Sequence, residues 1–424
     1  MNAKSIKVIT RLGDGSEIMH RPHIVILGAG YGGIVTALNL QKKLNANEAQ
    51  ITLVNKEDYH YQAAWLHENA AGSLHHDQLR IPIRDIINEK KINFILDKVV
   101  SIKPEEKKIK LEDQTIAYDI LIIALGFESE MPENHGLEEN AFFIGDINSA
   151  RLIREHLEYN FACYHNEDVK NKGRLNIVIG GGGPTGVEFA GELVDRIPEI
   201  CKEYDIEKAL VRIIMLESEA TILPAVDESL QQYATNSLVS RGVEIITGAT
   251  IKECHADTIT YEKDGILEEI PTVTKIWTAG VRANSLVKKS GLQTKDGKVA
   301  VTGEMKAPDF QDIFVVGDCA NVIDQKSGKA FNPTAQITVQ QAALVAYNVV
   351  AMIKGNKLRT FEPKIKGMVV CLGSHDGIGQ IFNKRKLFGW KAPLAKRLVD
   401  TQYLLKLGGL SLVLKKGKFK FLNS

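Results

Sequence analysis

Two glycine-rich turns, Gly28-Ala-Gly-Tyr-Gly-Gly33 and Gly181-Gly-Gly-Pro-Thr-Gly186, predict an α/β fold built from two Rossmann-like dinucleotide-binding domains. Each turn follows a short apolar run, His23-Ile-Val-Ile-Leu27 or Leu175-Asn-Ile-Val-Ile179, and precedes a helical pattern. In that context the first glycine (Gly28, Gly181) permits the tight turn and the second (Gly30, Gly183) lets a pyrophosphate approach the backbone. The third (Gly33, Gly186) lets helix pack on strand. Exposed N–H groups and the helix dipole then hold the phosphate charge. Chain order places the second domain inside the first. Residues 23–145 and 285–360 are expected to form one domain and 146–284 the other, after an extension over 1–22 and before a membrane-associating amphipathic region over 361–424.

Beyond the first turn, Ile34 to Leu44 has helical spacing and Ala49 to Val54 reads as the second strand. At its end, where an acid ordinarily accepts from a ribose hydroxyl, stand Asn55 and Lys56. An amide there still bonds ribose, but the missing carboxylate fits an adenine nucleotide other than NAD. Phe94 to Ile102 and Lys107 to Leu111 read as strands of a small sheet. Tyr118 to Gly126 reads as a buried strand whose small residues, Ala124 and Gly126, let backbone pass close to a cofactor.

The second turn opens a helix from Val187 to about Arg196, followed by a strand over Leu210 to Leu216 that ends at Glu217. A carboxylate in that place accepts two ribose hydroxyls and repels a 2′-phosphate, which favours NADH over NADPH; the alternative is an ordinary surface glutamate. Thr274 to Gly280 closes on small residues much as Ala124 and Gly126 do, so the two domains read as a near-repeat.

The chain then returns to the first domain at Asp312 to Asp318, an apolar strand ending in Gly317-Asp318, where a carboxylate meets a flavin ribityl hydroxyl. Asn332 reads as the N-cap and Pro333 as the first residue of the next helix, whose dipole favours the anionic pyrimidine edge of a reduced flavin. Gln336 and Gln340 lie four residues apart on one face of it. Uncharged amides at that spacing suit a neutral carbonyl ligand such as a quinone, and equally a solvated stripe.

Composition bounds the class. With 424 residues, 44% of them hydrophobic, the chain is long enough for two to three domains. Its net charge of +1 hides a tail: residues 384–424 hold eleven Lys/Arg and one acid, Asp400. Phe388, Trp390, Tyr403, Phe419 and Phe421 are interleaved with those cations, and Leu394, Leu398 and Leu405 share one side of a helix after Pro393. Leu410 to Leu414 before Lys415-Lys416 adds a second anchor. This pattern fits a lipid bilayer surface better than nucleic acid, because aliphatics fill its apolar positions and no nucleic-acid module accompanies it. The five cysteines are scattered without a C-x-x-C pair, which argues against disulfides and zinc. No secretory h-region precedes His23, and no window approaches 18 uninterrupted apolar residues, so no spanning helix is expected.

From His23 onward the sequence resembles the type II NADH dehydrogenases, single-subunit flavoprotein NADH:quinone oxidoreductases of the two-dinucleotide-binding-domain superfamily. The resemblance to that family rests on Ala335-Gln336 with Gln340, on the intact NADH fingerprint and on the amphipathic basic C-terminus; Thr338 stands where the family usually has alanine. It implies one non-covalent FAD on the first domain, with Gly28, Gly30 and Gly33 at its pyrophosphate, Asn55 and Lys56 near its ribose, and Asp318 at the ribityl chain. Ala124, Gly126, Gly317, Ala335 and Gln336 belong to the same cofactor site. On the second domain it implies NADH, held by Gly181, Gly183, Gly186, Glu217 and Gly280. Glu188 matches a family carboxylate near nicotinamide and flavin, or is simply an acid stabilised by a helix N-terminus. Gln336 and Gln340 are implied to line the quinone pocket.

The implied reaction passes hydride from NADH to FAD and then two electrons to a membrane quinone, menaquinone or ubiquinone. It is respiratory and moves no protons across the membrane. A homodimer, peripheral on the cytoplasmic side of the cell membrane, is the implied assembly. Residues 55–75 hold no cysteine, which excludes a disulfide reductase. A sulfide:quinone oxidoreductase, drawing on Cys163 or Cys371, and a slow NADH-dependent flavoprotein redox sensor remain as alternatives.

Overall fold

Runs of isoleucine, leucine and valine that are apolar on both faces form the centres of two parallel sheets, where neither face meets water. The computed structural model describes residues 9–11, 17–19, 21–130, 136–167, 170–324, 328–331, 334–382 and 384–418, with side chains from residue 21. It divides into two compact units. The first comprises Met1–Tyr61, Arg80–Glu128 and Val281–Ile365, and the second Gln62–Leu79, Ser129–Gly280 and Lys366–Ser424.

In the first unit the five-stranded sheet runs Ile313–Val315, Ile120–Ile123, His23–Leu27, Gln50–Asn55, Ile92–Leu96, every neighbour parallel. Ile24, Val25, Ile26 and Leu27 are fully buried at its centre. The helix Tyr31–Lys43 leaves the first glycine turn and packs against Ala335–Ile353. By length and composition alone that second helix could pass for a membrane span. Its apolarity has another cause: just over half of it is buried inside this unit. The expected strand from Phe94 to Ile102 is in fact two. Ile92–Leu96 closes the parallel sheet, and Val99–Lys103 opens an antiparallel one with Lys108–Leu111 and Thr115–Ala117. Asp97 separates them, its carboxylate accepting from the N–H groups of Lys98 at 2.7 Å and Glu112 at 3.2 Å. Ahead of His23, the strands Ile9–Arg11 and Glu17–Met19 pair antiparallel.

The second unit repeats the plan, with the order Phe142–Phe143, Thr274–Trp277, Asn176–Gly180, Arg212–Glu217, Val243–Thr247, again all parallel. Val178, Ile214 and Leu216 on one of its faces pack with Ile259, Tyr261 and Ile270 from an antiparallel three-stranded sheet. The helix after the second turn spans Pro184–Glu203, longer at both ends than the Val187 to Arg196 expected. Proline opens it at no cost, since the first amide has no intrahelical partner. Gly367–Cys371, Gly377–Ile381 and Arg385–Phe388 form a further antiparallel sheet, so the basic tail begins as a strand. Its helix, Lys391–Lys416, breaks at Gly408 and Gly409, where φ is −141° and 67°. Phe419 and Phe421 lie outside the described residues.

Candidate functional site

In each unit the first glycine of the turn has a backbone conformation that L side chains rarely adopt, φ +92° at Gly28 and +111° at Gly181. A Cβ on Gly33 would stand 1.7 Å from the Gly28 carbonyl oxygen, and one on Gly186 2.1 Å from that of Gly181. The middle glycines differ: a Cβ on Gly30 or Gly183 would meet nothing within 4 Å. Both also cap their helices without a side-chain hydrogen bond, so the first-turn N–H groups carry no side-chain acceptor from the cap. Each turn is thus closed where the chain must turn and open where a phosphate would sit. Its backbone donors fit a pyrophosphate.

The end of the second strand fastens each turn. Asn55 Oδ1 accepts from the Ala29 N–H at 2.9 Å, and Glu217 Oε2 from the Gly182 N–H at 2.5 Å. Glu217 is buried, its other oxygen accepting from the Glu219 N–H at 2.8 Å. Lys56 is exposed. Ala124 continues its strand by donating to the Leu27 carbonyl at 2.9 Å, and the Gly126 carbonyl accepts from the Asn284 N–H at 3.1 Å and from the Cys319 thiol at 3.2 Å. In the second unit Gly280, at φ +74°, accepts from the Glu130 N–H at 3.1 Å.

Gly317 and Asp318 form a 3₁₀ turn after Ile313–Val315. Burial pushes the Asp318 carboxyl above its ordinary value, against the pull of a backbone N–H and of Lys298, so further donors brought to it would favour the carboxylate. A polyol chain supplies donors of that kind. The turn is held by Gln341, a residue the sequence reading missed: its Oε1 accepts from the Gly317 N–H at 2.8 Å. His60 was missed as well. It is buried beside the first turn with Nδ1 2.8 Å from the Ala29 carbonyl oxygen. Its isolated position in the sequence carries no signal.

The helix Ala335–Ile353 starts two residues later than expected. Its cap is Thr334, whose hydroxyl accepts from the Ile337 N–H at 3.3 Å, whereas Asn332 and Pro333 lie outside the described residues. Ala335 is exposed and Gln336 half-buried. Gln340 does not offer the open amide expected of it. Its Nε2 donates to the Gln336 and Lys364 carbonyls, both at 3.1 Å, and its Oε1 accepts from the Lys364 N–H at 2.9 Å. Thr338 is buried and turns its methyl toward Gly32 and Gly317.

Glu188 stands in a buried charge cluster of the second unit. Its Oε1 accepts from the Cys371 N–H at 3.0 Å and from Lys396 Nζ at 2.6 Å, and its Oε2 lies 3.6 Å from His67 Nδ1. Lys396 belongs to the tail helix, so one cation expected to meet lipid headgroups is turned inward onto an acid. Burial disfavours its charge, but the surrounding groups, Glu188 foremost among them, together outweigh burial and hold the ammonium above its ordinary value. Lys418 likewise pairs with Glu68 and lies over the Trp65 ring, 4.1 Å from its centroid. Burial alone would raise the Glu68 carboxyl; the charge and hydrogen bond of Lys418, with the charge of Lys396, keep it below its ordinary value. No sequence signal marks these partners, which come from three separated stretches of chain.

The outward side of the tail helix keeps the expected stripe. Leu394, Leu398, Val399, Leu405, Leu410 and Leu414 are exposed, while Leu404, Leu407, Leu412 and Val413 are buried.

Comparison with known proteins places this geometry in a family. A model of the pyridine nucleotide-disulphide oxidoreductases matches residues 22–342. A type II NADH:quinone oxidoreductase of Staphylococcus aureus is 38% identical over 399 residues, which is 94% of this chain and 99% of that protein. Among solved structures, NDH2 from Plasmodium falciparum in complex with NADH is similar with a TM-score of 0.85 at 19% identity, over 95% of this chain and 99% of that one. The sulfide:quinone oxidoreductase of Aquifex aeolicus gives 0.75 at 21%, over 95% of each. Likenesses at these low identities show a common fold, whereas the staphylococcal relative and the family model reach further. The chain belongs to the pyridine nucleotide-disulphide oxidoreductase family and, within it, to the type II NADH:quinone oxidoreductases.

Proposed function

We propose that this chain oxidises NADH bound by the second unit, uses FAD bound by the first, and reduces a membrane quinone without moving protons across the bilayer. The observation that carries the reading is the pair of glycine turns, each opening a helix that has no side-chain cap and each with an open middle glycine. The residue at the end of the second strand distinguishes them: a carboxylate, Glu217, in the unit assigned to NADH, and an amide, Asn55, in the unit assigned to FAD.

A bound flavin would supply the means to accept a hydride and return its electrons to a quinone. The chain's own residues supply the rest. Gly28, Gly30 and Gly33 hold the FAD pyrophosphate, Asn55 and Lys56 its ribose side, and Asp318 accepts from the ribityl hydroxyls. Ala124, Gly126, Gly317 and Ala335 keep backbone close to the ring. Gly181, Gly183, Gly186, Glu217 and Gly280 hold NADH. Gln336 is assigned to the quinone carbonyl, and Gln340, committed to Lys364, to bracing that segment. Glu188, which accepts from Lys396, is assigned to the proton chemistry of quinol formation.

The tail helix is proposed to lie on the membrane surface through its exposed leucines, with Lys391, Lys406 and Lys415 at the headgroups. Self-association into a homodimer is proposed from the family resemblance, and sedimentation velocity tests it.

Anaerobic mixing of the detergent-solubilised protein with NADH tests the reaction. Flavin bleaching by NADH and prompt reoxidation by a short-chain menaquinone are expected; bleaching by sulfide and not by NADH would reverse the assignment. The sulfide alternative is weakened by Cys371, whose thiol burial pushes up to about 12, so that it is held as the unreactive thiol. Reconstituted into vesicles with an interior pH dye, the turning-over protein is expected to leave the lumen unacidified.

A further inference from the structure

Quinol formation sets a proton requirement. NADH gives up two electrons and one proton as hydride, and a quinone takes up two electrons and two protons, so one proton per turnover must enter from water. Resting on the reaction proposed above, we propose that Glu192 takes this proton from solvent and relays it toward Glu188 through a cavity within the second unit.

Glu192 follows Glu188 by four residues on the helix Pro184–Glu203, which puts the two carboxyl groups on one face. It is only 5% exposed, and its Oε2 accepts from the Ser73 hydroxyl at 2.5 Å. Glu192 also lines a cavity of about 430 Å³ whose wall extends to the exposed His75 and Gln78. At ~30 Å³ per molecule, that volume holds on the order of ten waters. Lys396 lines the same cavity and donates to Glu188, so the space that Glu192 faces adjoins the Glu188 ion pair.

The groups around Glu192 leave it as the carboxyl suited to exchange protons near neutral pH. Burial, reinforced by the charge of Glu68, pushes it up to about 7, against the lowering pull of Ser73 and Lys418. Asp195, on its own helix, adds to the upward push. From the strand Gly367–Cys371, the Cys371 thiol is pushed up to about 12 and stays protonated. His67 is held well below its ordinary value by burial and by Lys396, and stays neutral. On the tail helix, Lys396 stays charged, and burial raises Asp400, which accepts from Trp65 Nε1 at 2.8 Å. A carrier must release and regain its proton at working pH, and a carboxyl near 7 meets that condition.

Infrared titration of the FAD-loaded protein is expected to show a buried carboxylic-acid band that fades as pH rises through about 7. The band should vanish in Glu192→Gln, persist in Glu188→Gln, and move to higher pH in Ser73→Ala, which removes a bond that favours the ionised form. In stopped flow, Glu192→Gln should bleach with NADH at the wild-type rate and reoxidise with quinone at least tenfold more slowly, with its pH dependence near 7 gone. Absence of the band from the wild type, or an unchanged rate and pH profile in Glu192→Gln beside a wild type that turns over, overturns the relay alone. A wild type that bleaches with NADH and is not reoxidised by quinone overturns the reaction on which the relay rests.

Discussion

The Glu217 carboxylate accepts the Gly182 N–H at 2.5 Å, from inside the second glycine turn. The residue proposed to select the nucleotide's ribose therefore also holds the second glycine turn in place. Asn55 and Ala29 repeat the arrangement with an amide at 2.9 Å. Replacing Glu217 by alanine strips an acceptor from the Gly182 and Glu219 N–H groups, at a cost of about 1–3 kcal/mol. Glu217→Gln keeps an acceptor and drops the charge. We expect urea unfolding to show the full loss for alanine and a smaller one for glutamine. Steady-state kinetics should show the ratio of NADPH to NADH use rising in both.

Gly33 faces the Gly28 carbonyl so closely that a methyl group would overlap it. Gly33→Ala is expected to force the first turn open, at about 3 kcal/mol or more. Flavin content after gel filtration should fall sharply. Gly30→Ala, where a Cβ has open space, should fold normally and lose flavin affinity only through contact with the phosphate.

His60 makes the first unit sensitive to acid. Burial pushes its imidazole down to about 4 from 6.5, so folding favours the neutral ring. That contribution is complete above 6.5 and is lost as pH falls toward 4, a change on the order of 3 kcal/mol. Urea unfolding at pH 7 and 4.5 should show His60→Gln losing less stability on acidification than the wild type does.

The outward stripe of the tail helix can be tested apart from the fold, because Leu398 and Val399 are 64% and 63% exposed. Leu398→Asp with Val399→Asp should leave thermal unfolding within about 0.5 kcal/mol of wild type. Cosedimentation with anionic vesicles should drop about tenfold or more, and binding of the wild type should weaken with added salt. Unchanged vesicle binding would remove the tail from the membrane contact.

What the sequence alone determined about this protein is what local pattern carries. Two apolar runs, each followed by a glycine turn and a helix, specify the parallel sheets and the two glycine turns, because strand burial, tight turning and a glycine helix cap are settled within about twenty residues. The places of Glu217 and Asp318 at the ends of their strands were legible for the same reason, as residues at fixed offsets from apolar runs. Tertiary structure decided everything that joins distant stretches. Glu188, Glu192 and Asp195 share one helix face that reads as a solvated acidic stripe, yet Cys371, Ser73, Lys396 and Ser374 meet it from elsewhere in the chain. The tail's cations looked uniform in sequence, and the fold divided them: Lys396 and Lys418 neutralise buried acids while Lys391, Lys406 and Lys415 stay in water. Gln340 and Gln341 are adjacent amides, and only the rotation of their helix assigns one to Lys364 and the other to Gly317. A charge or an amide carries no mark of its partner in the sequence, since its energy depends on burial and on what folding brings within a few ångströms.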